Sequence, residues 1–284
     1  MSSPRPWEYS AFPVVVTARR QISPGFVRLT FGGEALEHFA TWGTDQRIKI
    51  VLPLADGSFP DVGLLDEPTP HPSHWYTRWK ELPDGARNVM RTYTPSGIRP
   101  ESREIDVDIY LHDPAGPASA WAAQAVPGDR VVITGPDSRN GWTGYGLHWA
   151  PGDAKRMLLV ADETAFPAVA AILRAVPDAE RVDVILECTD PADDIVTAHA
   201  PAHAHITRVS RGDDPDCTGA ERAVVEWGRE RGEGMHADPG FYAWLAGESG
   251  TTARVRRHLT ASLGVPKARV AFLGYWKVGG PLVG

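Results

Sequence analysis

Near residue 152 the hydrophobic rhythm of the chain changes, and that change limits the fold more than any other feature. Before it, short apolar runs alternate with polar residues. "REIDVDIYLH", residues 103–112, sets Ile105, Val107, Ile109 and Leu111 on one face and Asp106, Asp108, Tyr110 and His112 on the other. That is the period of a half-buried strand. "FPVVVTARRQISPGFVRLTF", 12–31, reads as two β-branched strands around a Ser23-Pro24-Gly25 turn. "QRIKIVLP", 46–53, and "RVVITGP", after Pro127-Gly128-Asp129, add two more. Many short strands with turns between them predict an antiparallel barrel, with the Pro-, Gly- and charge-rich residues 54–88 a long loop within it.

After residue 152, strands read at 156–161, 181–188, 204–210, 241–247 and 268–276 alternate with helices at 165–176, 219–230 and 251–264. Such alternation predicts a parallel sheet flanked by helices. The expected organisation is therefore an antiparallel β-barrel domain, 1–151, followed by a parallel-sheet α/β domain, 152–284. A chain of 284 residues also exceeds the usual size of one core. Sheets of the second kind bind ligands beyond the carboxyl ends of their strands, here Ala161–Thr164, Cys188–Asp190, Ala246–Ser249 and Gly274–Lys277. No G-x-G-x-x-G follows the first of these strands, so an ordinary Rossmann site is not expected.

Composition removes several function classes. A net charge of −7 offers no global attraction for nucleic acid. Two cysteines, Cys188 and Cys217, are too few for a four-thiolate iron–sulfur or zinc site and read as reduced thiols. The start of the chain lacks a charged region followed by a long apolar run, and no segment approaches the roughly 20 apolar residues of a bilayer span. A soluble, cytoplasmic protein without stable membrane association is expected. His199, His203 and His205 lack a close Cys or carboxylate and read as a solvated loop and strand start; no metal site is expected. Neither G-x-S-x-G nor a Cys–His pairing supports hydrolase chemistry.

Two stretches carry ligand chemistry. In Arg91-Thr92-Tyr93-Thr94, strand geometry gives Arg91 and Tyr93 one face. Arg forks onto phosphate, Tyr stacks on a flat ring, and Thr hydrogen-bonds a ring edge. A surface Arg beside a packed Tyr is the plainer alternative. "HDPAGPASAWAAQAVPGD", 112–129, turns through Gly116-Pro117 into an Ala-rich helix with Ser119 near its start. Its first-turn N–H groups form an anion site, or else the segment is only a strand-to-helix corner. Asp162-Glu163, adjacent carboxylates at a strand end, read as diverging groups of which one caps the next helix.

Taken in order, "RIKIVLP", "RTYT", "DVDIYLH", "GPASAWA", "PGDRVVITGP", "ADETAFPAVAAIL", "WLAGES", "RVRRHL" and "GYWKVGG" resemble the siderophore-interacting protein family, flavin-dependent ferric-siderophore reductases of the ferredoxin-reductase-like superfamily. The resemblance implies an FAD-binding barrel, a C-terminal NAD(P)H domain and an electron relay from NADPH or NADH through FAD to Fe(III) held by a siderophore. No catalytic acid or base is implied. Arg91, Tyr93 and Thr94 match the flavin motif. Ile109, His112, Gly116, Pro117, Ala118, Ser119 and Trp121 match the segment that cradles pyrophosphate and adenosine. Asp162 to Ala165, with Thr164, match the loop beside the nicotinamide, and Tyr275 and Trp276 the terminal aromatics near the flavin. Lys49 and Lys277 match basic positions associated with the ferric siderophore, with Arg257, or alternatively Arg254, as a third. The chain departs from the pattern at Ser96, where Arg is common and for which Arg99 is a substitute to consider, and at Ala161, where Gly is frequent. A general NAD(P)H:flavin or quinone reductase, or a non-catalytic siderophore- or flavin-binding protein, are the competing readings.

Overall fold

The structure, a computed structural model, describes residues 8–212, 218–231, 234 and 238–281. It divides into two compact units, one comprising residues up to Ile22 and Phe26–Leu147, the other Ser23–Gly25 and the chain from His148 onward.

The first unit is one antiparallel sheet of seven strands. These are β1 (Tyr9–Gln21), β2 (Phe26–Gly32), β3 (Ile48–Val51), β4 (Met90–Tyr93), β5 (Pro95–Arg99), β6 (Glu104–Tyr110) and β7 (Arg130–Pro136). Their order is β4-β3-β7-β1-β2-β6-β5, so β4 and β5 are the two edges. Yet only Thr94 separates those edges along the chain. Laid flat, the edges would stand roughly 29 Å apart, whereas two Cα steps cover at most about 7 Å. The sheet therefore curls until its edges meet at a seam.

Alternate residues supply the interior: Phe12, Val14, Leu29, Phe31, Ile48, Ile50, Ile105, Val107, Ile109 and Ile133 form one core. The opposite face of β6 is not left to water. Arg28 forks onto Asp108 at 2.6 and 2.8 Å, and Thr30 Oγ1 donates to Asp106 at 2.7 Å, so cross-strand pairs satisfy the buried carboxylates.

Residues 54–88 are not simply a loop. They contain α1 (Pro72–Glu81), begun by Pro72 and by the His71 ring, which accepts the Ser73 N–H. Trp75, 5% exposed, joins Val51, Val62, Leu64, Met90 and Val132 in a second small core. Val51, Met90 and Val132 alternate away from the main core, so this side of the sheet is apolar and needs a cover. A single helix ten residues long, set among Pro and Gly, shows too little periodicity to be read locally. Trp75→Ala is expected to cost about 3–5 kcal/mol in denaturant unfolding and to open residues 54–88 to proteolysis; an unchanged midpoint would show that the cover is dispensable.

The second unit has β8 (Arg156–Asp162), β9 (Arg181–Cys188), β10 (Ala204–Ser210), β11 (Phe241–Glu248) and β12 (Val270–Lys277) in the parallel order β10-β9-β8-β11-β12, with a two-residue antiparallel β13 (Gly280–Pro281) on the edge. Helices α3 (Phe166–Ala175), α4 (Gly219–Arg231) and α5 (Ser249–Arg257) connect them; α5 passes at His258 into a π turn ending at Ser262. The strand order reverses between β8 and β11, the switch point at which ligands bind in such sheets. No helix among the described residues is long and apolar enough to cross a membrane. Cys188 is buried and free, and Cys217 lies outside the described residues.

Candidate functional site

The seam of the first unit holds the flavin-type motif. Tyr93 lies opposite Ile48 and Arg91 opposite Ile50, so both share the face of those core residues. Tyr93 packs half-buried against the core, and burial pushes its hydroxyl up to about 12, leaving a neutral ring. The half-buried Arg91 donates to the Met90 carbonyl at 2.9 Å and forms no ion pair with any described residue. Thr94 is 7% exposed at the seam itself. Ser96 follows at an irregularity of the ladder between Pro95 and Gly97. Arg99 does not replace the cation missing there. Its two Nη groups fork onto Asp106 at 2.6 and 2.9 Å and its Nε reaches Glu104 at 3.1 Å, and these carboxylates, Asp106 foremost, raise its pKa.

Helix α2 (Pro117–Gln124) starts from Gly116, and no side chain caps it. Its far end is closed by Arg19, which donates to Ala122 O and Ala123 O. The start thus presents its N–H groups and the buried Ser119 to any anion. His112 is braced by its Nδ1, 2.7 Å from Pro114 O. A Cβ on Gly116 would stand 3.3 Å from that ring, close enough that the imidazole would have to give by a few tenths of an ångström. Ala118 belongs to the core, and Trp121 and Tyr93 pack against the same core. The donor set fits FAD: a guanidinium without a carboxylate and an uncapped helix start for pyrophosphate, a neutral phenol face and a hydroxyl for the ring. Ile109 is different. It is 2% exposed inside the core, and its side chain is not placed for a ligand.

Lys49 lies opposite Thr92, on the other face of the sheet from Arg91 and Tyr93. Its Nζ is 3.3 Å from Thr92 Oγ1, and burial, then Arg47 and Arg91, lowers its pKa.

In the second unit the ends of β8, β11 and β12 meet at Asp162. Its Oδ1 accepts the Thr164 N–H at 3.0 Å, and its Oδ2 accepts the Glu248 N–H and the Trp276 Nε1–H, both at 2.8 Å. Burial raises its pKa against the lowering pull of Arg211. Asp162 also caps the turn that leads through the buried Ala165 into α3, as expected of one member of the pair. Glu163 instead accepts the Thr189 N–H at 2.8 Å and pairs with Arg211. Arg211 stands over the Trp276 ring, 5.7 Å from its centroid, and 4.0 Å from Glu187. Ser249 Oγ donates to Trp276 O at 2.8 Å, so Trp276 is held at its ring and its backbone, with Tyr275 half-buried beside it. Lys277 is exposed at the end of β12 and Arg257 exposed on α5. Arg254, the alternative third cation, is engaged by Glu221 at 2.6 Å.

Sequence reasoning missed Arg47, Glu187 and Arg211. Each acts across strands that are distant in the chain, and the nearest local signal was the position of Arg211 just beyond a predicted strand end.

Two family models match: the siderophore-interacting FAD-binding domain over residues 15–140, and the siderophore-interacting protein model over 154–279. The uncharacterized protein Rv2895c of Mycobacterium tuberculosis (strain ATCC 25618 / H37Rv) is 35% identical over 75% of this chain and 69% of its own length. The chain belongs to the siderophore-interacting protein family. As a family member it carries an FAD-binding domain in its first unit, so FAD is its cofactor. The NADPH-dependent ferric-chelate reductase of Escherichia coli (strain K12) is 29% identical over 90% of this chain and 89% of its own. The mycobactin import ATP-binding/permease protein IrtA of Mycolicibacterium thermoresistibile is 30% identical over 82% of this chain, which spans only 23% of that protein. A solved siderophore utilization protein from T. fusca superposes with a TM-score of 0.71 at 25% identity, covering 97% of this chain and 95% of that one. The fold is also that of ferredoxin reductases.

Proposed function

We propose that the chain reduces ferric siderophores with NAD(P)H as electron donor, releasing Fe(II) for iron acquisition in the cytoplasm, where that donor is found. The observation that supports this reading is that the neighbouring strands β3 and β4 carry Arg91 and Tyr93 on one face and Lys49 on the other, with neither cation paired to a carboxylate among the described residues. FAD, when bound, supplies the conversion of a two-electron donor into single-electron deliveries. The side chains bind and orient. Arg91 and the start of α2 take the pyrophosphate, Tyr93 sets the ring plane, and Thr94 meets the ring edge. Asp162 and Ser249 fix Trp276 where the nucleotide enters the second unit. Lys49 in the first unit, and the exposed Lys277 and Arg257 in the second, each favour an anionic chelate through long-range attraction. No side chain need move a proton, and iron leaves because Fe(II) binds hard oxygen ligands more weakly than Fe(III). The name of the Escherichia coli relative supports the same chemistry.

The test combines two measurements. Anaerobic NADPH should bleach the visible flavin bands, and turnover should favour a ferric siderophore over a simple quinone. Lys277→Ala should lower kcat/KM for the ferric siderophore by about two- to fivefold and for the neutral quinone by less. A preference for quinone would favour the general reductase, and a flavin that NADPH never bleaches would favour a binding protein.

A further inference from the structure

Trp142 is 68% exposed, more than any other large apolar side chain among the described residues, yet its surroundings are firmly built. Its ring meets Trp42 edge-on, with centroids 4.9 Å apart and planes at 61°. The loop bearing Trp42 is fastened from within by Gln46, 1% exposed. Gln46 Oε1 accepts the Trp42 N–H at 2.9 Å and the Gly43 N–H at 3.1 Å, while Nε2 donates to Ala40 O at 2.8 Å. Thr44 in this loop holds φ +47°, a costly conformation for a β-branched residue. The loop bearing Trp142 turns at Gly141, Gly144 and Gly146, all with positive φ.

Both loops close on Arg47. Its N–H donates to Gly146 O at 3.2 Å, and its carbonyl accepts the Tyr9 hydroxyl. The Tyr9 ring in turn packs edge-on against Tyr145 at 4.5 Å. Arg47 Nε is buried with no hydrogen-bond partner, and Arg47 pairs with no described carboxylate. Lys49 follows two residues later. An exposed indole on a half-buried one, on a stiff mount and tied to cations that no described carboxylate neutralises, is an expensive arrangement if it serves the fold alone.

Resting on the ferric-siderophore reading above, we propose that Trp42 and Trp142, with Arg47, form a recognition wall for aryl iron chelates. They select catecholate or phenolate complexes over alkyl hydroxamate ones. A catecholate offers an aromatic ring to the indoles and anionic oxygen to the guanidinium, whereas a neutral trihydroxamate complex offers neither.

Calorimetric titration of the flavin-loaded protein with redox-inert gallium(III) complexes tests binding apart from turnover. The wild type should bind gallium tris-catecholate more tightly than a gallium trihydroxamate. Trp142→Ala should weaken the catecholate by about two- to tenfold, and Trp42→Ala/Trp142→Ala by more, with the hydroxamate affinity moving less than twofold. Trp142→Phe should restore most of the loss. Equal wild-type affinities, parallel loss of both complexes, catecholate affinity untouched in the double variant, or loss of flavin from the variants would each overturn the proposal. The two readings fail separately. Binding of the gallium catecholate without reduction of its ferric counterpart sinks the reductase and leaves the wall standing. Equal reduction of both ferric classes, with equal binding, does the reverse.

Discussion

Replacing Arg91 with Ala is expected to weaken FAD binding by about 10- to 150-fold, the range for a hydrogen bond to a charged group. Its guanidinium has no carboxylate partner among the described residues, so its removal strands no buried anion. Thermal stability without cofactor should therefore barely move while flavin affinity falls, a combination that separates binding from folding. Arg91→Lys should recover only part of the affinity, because an ammonium keeps the charge and loses the fork. Titration of flavin-free protein by flavin fluorescence reads both variants. An affinity within twofold of wild type in Arg91→Ala would place the pyrophosphate elsewhere.

Gly247→Ala should be the most damaging single methyl in the second unit. The residue holds φ +143°, and an added Cβ would come within 2.6 Å of Asp162 Cγ. Backbone strain and displacement of a buried carboxylate together are expected to cost about 2–4 kcal/mol. The second effect reaches further than stability. Asp162 holds the Trp276 ring, the Glu248 N–H and the Thr164 turn at once, so moving it frees the indole and loosens the carboxyl ends of β8, β11 and β12. Near-ultraviolet circular dichroism should lose tryptophan signal and the NADPH dissociation constant should rise. Asp162→Asn offers a milder comparison: it keeps the volume, but one amide oxygen cannot accept donors arriving on both sides. Wild-type dichroism and NADPH affinity in Gly247→Ala would mean that this carboxylate organises nothing.

Period and punctuation made much of the architecture legible. Strands β7 and β10 cover the residues that read as strands along the chain: β7 as a continuous apolar run that is buried beyond its first residue, and β10 as a β-branched run that stays partly exposed. Helix α1 escaped, since Trp75 has meaning only against the apolar outer face formed by Val51, Met90 and Val132. The site divides in the same way. The order of Arg91, Tyr93 and Thr94 is local and can be read from the chain. That Lys49 faces away from them depends on register with β4, and that Arg99 is held by Asp106 depends on pairing with β6. Arg211 serves Glu163 from 48 residues away, a distance at which no local pattern survives.

The seam at Thr94 has a bearing on how this sequence can change by insertion and deletion. In a long connection such as residues 52–89 a lost or gained residue is absorbed by slack; between β4 and β5 there is one residue and no slack. An indel there would turn one edge by half a period and carry Arg91 and Tyr93, or the β5 partners of β6, to the wrong face. The spacing of the cofactor motif is thus policed by sheet closure as well as by the ligand, and a lineage that discarded the flavin would still inherit the spacing.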